Sequence, residues 1–182
     1  RADAGRLRVQ LEGAEADAAE ILFDCAADEG FFGLGTQVVG LDLRGRTYPL
    51  WTQEQGIGKP EGGAGFPIAN TREAAYAPMG VWHSSAGYAA LLTHDHFSEI
   101  DLCHGAADRV ALRSLRALPG IVLVPGATPK ARMSALTELT GRMPVDPPDW
   151  VFGPWNDAVG GPERLREVSE MLRAEDIPSS AI

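Results

Sequence analysis

The pattern of apolar and polar residues divides the chain into two parts. From residue 1 to about residue 125, short apolar alternations are interrupted by Gly, Pro and Asp, without the periodicity of a helix. In residues 6–11 polar and apolar side chains alternate, so one face of that segment is expected to be solvated and the other packed. This pattern is typical of an antiparallel β-sandwich. It predicts strands near residues 5–11, 18–25, 36–43, 79–84, 87–93, 96–103, 108–115 and 119–124.

A helix is predicted after the last of these strands. Thr128 suits the N-cap, Pro129 the first helical position and Gly141 the C-terminal cap. The side expected to pack against the sandwich consists of Met133, Leu136, Leu139 and Thr140.

A second part is predicted after a proline-rich linker at residues 142–149, which contains three prolines. We expect a strand over residues 150–155, a turn at Gly160 and Gly161, an amphipathic helix to about Ala174, and a second strand over residues 177–182. The apolar stripe of that helix consists of Leu165, Val168 and Leu172. A strand–helix–strand unit buries its faces only when further units follow, and the first residue is not Met, so we expect a fragment of a longer protein.

Composition and net charge limit the kinds of partner that the protein is expected to bind. The 182 residues are 45% hydrophobic and 23% charged, as in ordinary globular proteins, and the net charge is −9 with dispersed arginines. This balance disfavours nucleic acid and anionic membranes, and no apolar run approaches the roughly 20 residues of a membrane span. We expect a cytoplasmic location. Cys25 and Cys103 form no C-x-x-C pair and are expected to be buried free thiols.

The long segment between residues 51 and 78 is the first candidate for function. A loop of this length in a compact domain is usually functional or disordered. Residues 61–65 are rich in glycine and are expected to be merely flexible, whereas residues 51–59 combine an aromatic anchor with polar groups. The candidate binding residues there are Gln53, Glu54, Gln55 and Lys59.

Three segments resemble glycoside hydrolase family 31, in matching order and spacing. They are residues 31–37 (Phe-Phe-Gly-Leu-Gly-Thr-Gln), residues 42–51 with residues 54–59 (Glu-Gln-Gly-Ile-Gly-Lys), and residues 140–150, which include Pro-Pro-Asp-Trp. The resemblance implies a mainly β fold: a galactose-mutarotase-like antiparallel sandwich (1–141), a linker (142–149) and the first unit of a truncated (β/α)8 barrel (150–182). The second segment looks like the sulfoquinovosidase branch. Thr36 stands where many α-glucosidases of the family have Glu, which disfavours a maltase.

The resemblance also implies the chemistry. A retaining α-glycosidase uses two carboxylates about 5–5.5 Å apart. In the family both are aspartates on later barrel strands, and the sulfonate is bound by a Gln, an Arg and a Trp, all expected beyond Ile182. The chain is therefore expected to contain no catalytic residue and to be inactive alone, while the intact enzyme acts on a carbohydrate without cofactor or metal. Whether that enzyme is a homo-oligomer is left open.

Two groups of residues remain as candidates for the rim of the active site. Barrel sites lie at the C-terminal ends of the strands, which places Trp155, Asn156 and Asp157 at the mouth. Family architecture also lets the sandwich loop reach that mouth, which would bring the residues of the loop nearby.

Other functions have weaker support. His94 and His96 with Glu99 and Asp101 could form a metal site, although a polar strand face and turn explains them better. The amides at Gly160 and Gly161 could bind an anion, although a tight turn is the simpler interpretation. The rival functions are an α-glucosidase or α-xylosidase of the same family, and a sugar-binding module. The stacking platforms of such a module would be Tyr48, Trp51 and Trp82.

Overall fold

The computed structural model describes residues 2, 3, 5–13, 17–59, 71–115 and 118–182. It divides into two compact units, Arg1–Gly141 and Arg142–Ile182. In the described part of the first unit the elements are β1 (Ala2–Asp3), β2 (Arg6–Gln10), β3 (Ala18–Asp24), β4 (Phe31–Gly35), β5 (Arg46–Leu50), β6 (Pro78–Ser84), β7 (Tyr88–Leu92), β8 (Ser98–Leu102), β9 (Arg109–Leu115), β10 (Gly120–Pro125) and α1 (Pro129–Thr140). The second unit contains a 3-10 helix (Asp149–Phe152) and α2 (Pro162–Ala174).

The strands of the first unit form two antiparallel sheets. One sheet has the order β1-β2-β10-β7-β6-β4, and the other has the order β3-β9-β8-β5. Side chains from both sheets share one core, in which Phe23 of β3 stacks on Trp82 of β6 with ring centroids 6.4 Å apart. The predicted mainly β fold with an antiparallel sandwich is confirmed.

The prediction of a strand over residues 36–43 is wrong. The chain turns there instead, with Leu41 83% exposed, and the strands are β4 before it and β5 after it. The glycines of β4 hid this strand from sequence reasoning. They belong to a bulge in the pairing with β6, where a Cβ on Gly35 would lie only 1.9 Å from the carbonyl oxygen of Ala77. The other predicted strands of the sandwich are confirmed to within two residues at each end.

Helix α1 begins and ends where its caps predict. The Thr128 hydroxyl accepts a hydrogen bond from the Ala131 amide at 3.1 Å, and Gly141 is the C-cap. The predicted packing face is confirmed at Leu136, which is buried, but wrong at Met133 and Leu139, which are exposed. The face that packs contains Arg132, whose guanidinium donates to the Gly126 carbonyl at 2.9 Å, and the buried Leu136.

The second unit differs from the predicted strand–helix–strand pattern. Residues 149–152 form the 3-10 helix rather than a strand, and a single parallel bridge joins Trp155 to Ala181. Helix α2 is confirmed, with Val168 and Leu172 buried but Leu165 38% exposed. Gly160 and Gly161 have φ angles of 128° and 89°, which favour glycine and make the turn before the helix. Neither helix in the described part of the chain has the length and apolar character needed to cross a bilayer.

The prediction that the two cysteines are free thiols is also wrong. Cys25 follows β3 and Cys103 follows β8, and the structure joins their sulfur atoms in a disulfide at the edge of the core. Sequence spacing could not reveal this contact, because 78 positions separate the two residues and the sandwich brings them together.

Candidate functional site

The candidate loop, residues 51–59, lies against residues 71–77. Thr52 pairs with Ala75, the Gln53 amide donates to the Ala75 carbonyl at 2.9 Å, and the Gly56 amide donates to the Ala74 carbonyl at 3.1 Å. A Cβ on Gly56 would lie 2.2 Å from the carbonyl oxygen of Arg72, so this approach requires glycine. The loop is thus fixed by backbone contacts.

An ion pair anchors the segment that supports the loop. The Arg46 guanidinium on β5 donates to the Glu73 carboxylate at 2.8 Å, and the Glu73 side chain is only 8% exposed. Removing Arg46 would leave the buried Glu73 carboxylate poorly solvated, which is destabilising. The loop is therefore connected, through residues 71–77, to the four-stranded sheet.

Hydrogen bonds hold three of the predicted polar residues of the loop. Lys59 Nζ donates to the Glu54 carbonyl at 3.1 Å, and Gln55 Nε2 donates to the Thr36 carbonyl at 3.2 Å. The Glu54 carboxylate accepts a hydrogen bond from the Tyr76 hydroxyl, and this bond raises the pKa of Tyr76. A carboxylate, an ammonium and an amide thus lie in one exposed loop, where they can bind hydroxyl groups. Gln53 is half-buried.

Two residues of this arrangement escaped sequence reasoning. Tyr76 and Glu73 follow the long glycine-rich stretch and match no motif, so only the folded loop shows their contacts with Glu54 and Arg46. Their position in residues 71–77, which lie beside the polar loop, was the only sequence feature that could have indicated a role. The predicted flexibility of residues 61–65 concerns residues outside the described ranges.

The second group of candidates lies within the second unit. Trp155 is 63% exposed and stacks on Trp150, with centroids 6.0 Å apart and an interplanar angle of 24°. The Asn156 amide donates to the Ala181 carbonyl at 3.0 Å, and its side chain donates to the Ser179 hydroxyl at 3.0 Å. Asp157 is exposed. These three neighbours form a short segment beside residues 179–181.

The family-like segment at Asp42 and Arg44 has a structural role. One oxygen of Asp42 accepts from the amides of Phe31 and Arg44, both at 3.0 Å. The Arg44 guanidinium donates at 2.6–3.0 Å to three carbonyl oxygens, those of Ala26, Glu29 and Ala107. This segment holds neighbouring turns together and offers no catalytic group.

The structure changes the interpretation of the residues suggested for sugar stacking and for metal binding. Tyr48 and Trp82 are fully buried, so they cannot be the stacking platforms suggested for a sugar-binding module, whereas Trp51 is 51% exposed. The rings of His94 and His96 stack with centroids 6.1 Å apart. Within the described ranges, no group of three or more His, Cys, Asp or Glu residues could hold a metal ion.

Comparison with known proteins identifies the class. No model of a known protein family matches the chain. The fold matches a family 31 (GH31) dextranase from Flavobacterium johnsoniae with a TM-score of 0.67 and 20% identity, over 93% of this chain and 20% of that one. It also matches a GH31 sulfoquinovosidase from E. rectale with a TM-score of 0.61 and 20% identity, over 90% of this chain and 25% of that one. These structural matches show the sandwich fold, and together with the two sequence relatives described next they support a family 31-like glycoside hydrolase.

Within that class the chain resembles the sulfoquinovosidase branch. It is 32% identical to the sulfoquinovosidase of Agrobacterium fabrum over 137 residues, which is 69% of this chain and 19% of that protein. It is 26% identical to the sulfoquinovosidase of Escherichia coli K12 over 190 aligned positions, which cover 99% of this chain and 28% of that protein. The chain thus spans less than a third of the length of either relative.

Proposed function

We propose that the chain is the N-terminal part of a retaining α-glycosidase that hydrolyses sulfoquinovosides. The observation that carries this proposal is the similarity to two sulfoquinovosidases, one of which aligns with 99% of the chain. The sandwich, whose fold matches family 31 structures, supports the same assignment. A cytoplasmic location is part of the proposal.

The chain would supply a scaffold and part of the rim of the active site, and not the catalytic pair. A retaining mechanism needs a nucleophilic carboxylate and an acid/base carboxylate about 5–5.5 Å apart across the glycosidic bond. By the resemblance to the family, we propose that the aspartates that fill these roles lie outside these 182 residues. We therefore propose that the 182 residues alone have no hydrolytic activity.

The loop of residues 51–59 would contact the hydroxyl groups of the sugar. Its ionisable residues are Glu54 and Lys59, one of each sign, so the loop carries no excess of positive charge for a sulfonate. The amide of Gln55 and the carboxylate of Glu54 offer the directional donors and acceptors that hydroxyl groups require. In the second unit, the residues proposed to contact the substrate are Trp155, Asn156 and Asp157.

The test compares nitrophenyl α-sulfoquinovoside, α-glucoside and α-xyloside as substrates. The longer protein is expected to prefer the sulfoquinovoside by about tenfold or more in kcat/KM, equivalent to at least ~1.4 kcal/mol of transition-state binding. Preference for the glucoside or the xyloside would assign the chain to another branch of the family. The 182-residue chain is expected to give background rates, and turnover that survives repurification would show that it carries its own catalytic groups.

A further inference from the structure

A cleft of about 400 Å³ opens at one end of the sandwich. Trp51 and Thr52 line it, whereas residues 53–59 of the same loop do not. It lies where β5 ends, where β6 begins and where residues 93–97 connect β7 to β8, and thus one sheet to the other. Its volume falls in the range of about 300–1,000 Å³ that small-molecule sites occupy. Apolar residues of β5, β6 and β7 line part of it, together with Trp51 and Phe97.

The indole of Trp51 is held in place but only half covered. It packs against Phe97 with ring centroids 5.7 Å apart and planes tilted by 53°, and it remains 51% exposed. An aromatic ring fixed in this way loses little conformational freedom when it binds a ligand. Its flat apolar face fits the C–H face of a pyranose ring, while the indole N–H can bond to a hydroxyl.

Polar groups line the cleft beside this ring. Both ring nitrogens of His94 are shielded from solvent and have no hydrogen-bond partner among the described residues. Burial, together with the neighbouring His96, lowers the pKa of His94 against the opposing effect of Asp95, which favours the neutral imidazole with one donor and one acceptor. An unpartnered buried polar group is costly, and a ligand hydroxyl reached by a turn of the imidazole would relieve that cost.

The charges in the cleft select against an anion. Among the described residues that line it there is no Lys or Arg, and Asp95 contributes a carboxylate. A sulfonate or phosphate would therefore meet no opposite charge. A metal ion is no better fit, since the described residues contain no set of three ligands that could hold one.

We propose that this cleft binds a neutral saccharide, with one sugar ring stacked on Trp51 and its hydroxyls bonded to His94 and Asp95. The cleft shares Trp51 and Thr52 with the loop of residues 51–59, and its binding of a saccharide does not depend on the activity of the longer protein. It would hold a neutral part of a glycoside or glycan, whereas the sulfonated sugar would be excluded.

The test is a titration of the isotopically labelled 182-residue chain with methyl α-D-glucopyranoside, followed by amide chemical shifts. We expect saturable shifts confined to residues 50–52, 78–80 and 92–97. Glucose 6-phosphate, the anionic probe, should bind at least about tenfold more weakly, because its phosphate meets the carboxylate of Asp95. Absence of saturable shifts, shifts confined to residues 53–59, or equal binding of both probes would overturn the proposal.

Variants identify the contacts. Trp51→Ala is expected to weaken binding by about tenfold or more, because an aromatic ring that the ligand covers contributes much of the binding energy. Trp51→Phe keeps an aromatic ring and should keep most of the affinity. His94→Leu should weaken binding severalfold. Phe152→Ala is the matched control, because it removes an exposed aromatic ring from the other unit. Unchanged affinity in both Trp51→Ala and His94→Leu would contradict the proposal. If circular dichroism shows that Trp51→Ala is unfolded, the proposal is tested by the chemical shifts of the wild-type chain and by the affinity of His94→Leu.

Discussion

Arg44 illustrates how one side chain can hold several turns of the sandwich. Its guanidinium donates to three carbonyl oxygens, and its own backbone is held by Asp42. A lysine ammonium is a compact charge and cannot reproduce this planar fork of donors.

We predict that Arg44→Lys lowers the free energy of unfolding by about 2–3 kcal/mol, because carbonyl groups lose bonds to a charged donor. Urea denaturation followed by circular dichroism measures the change. Arg109→Lys, which changes an exposed side chain at the start of β9, is the control and should change stability by less than about 0.5 kcal/mol. Equal stability of the two variants would show that the Arg44 contacts contribute little.

The loop residues allow a second prediction at this scale, which rests on the proposed function. In the longer protein, Lys59→Ala or Gln55→Ala should lower kcat/KM by about tenfold or more, which corresponds to one lost hydrogen bond of ~1.4 kcal/mol. Lys130→Ala removes an exposed lysine from α1 and should leave the kinetics unchanged. Wild-type kinetics for both loop variants would reduce the loop to scaffolding.

Single elements show what the sequence could and could not predict. The ends of α1 depend on local caps at Thr128 and Gly141, which can be read directly from the sequence. Its packing face depends on the contact between Arg132 and Gly126, which only the folded sheet provides. The strand predicted over residues 36–43 failed because apolar residues in a turn resemble a strand, while the glycines of β4 conceal one.

The candidate site, too, could be predicted from the sequence only in part. The polar composition of residues 51–59 was visible in the sequence, and the structure brings Glu54, Gln55 and Lys59 into one loop. The partner Tyr76 depends on how residues 71–77 return beside the loop, so no spacing rule could supply it. The cleft beside Trp51 likewise requires strands from both sheets.

The pairing of Cys25 with Cys103 gives a prediction at the scale of connected elements, since it links the ends of β3 and β8. Unfolded protein that has not been reduced should contain no titratable thiol. Reduction should lower stability by about 2–4 kcal/mol, because the bridge restricts the unfolded chain. The Cys25→Ala, Cys103→Ala double variant is the control, and reductant should not affect it. Two titratable thiols in the unreduced protein would contradict this prediction and would show that the sulfur atoms are in contact without a bond.

The two units differ in how much apolar surface they bury. The first has a continuous core drawn from both sheets, with residues such as Phe31 and Ile100 fully buried. In the second, Val168 and Leu172 are the buried residues, while Phe152 and Trp155 are 77% and 63% exposed. So little burial offsets only part of the ordering cost of about 1–2 kcal/mol per residue.

We therefore predict that limited proteolysis leaves a stable core ending between residues 141 and 150. Amide exchange should be slow in the strands of the sandwich and fast after residue 150, because local stability follows buried contacts. If residues 150–182 were protected as strongly as the sandwich strands, the second unit would be a stable domain in its own right. The assignment to a barrel that requires further units would then be contradicted.

The stereochemistry of hydrolysis tests the central claim most directly. Proton NMR can follow an α-sulfoquinovoside as the longer protein hydrolyses it, and can identify the anomer that forms first, before mutarotation. A retaining α-glycosidase passes through a covalent intermediate and releases the α-anomer. We predict α-sulfoquinovose as the first product. Release of the β-anomer, or no hydrolysis of the sulfoquinovoside by active protein, would contradict the account.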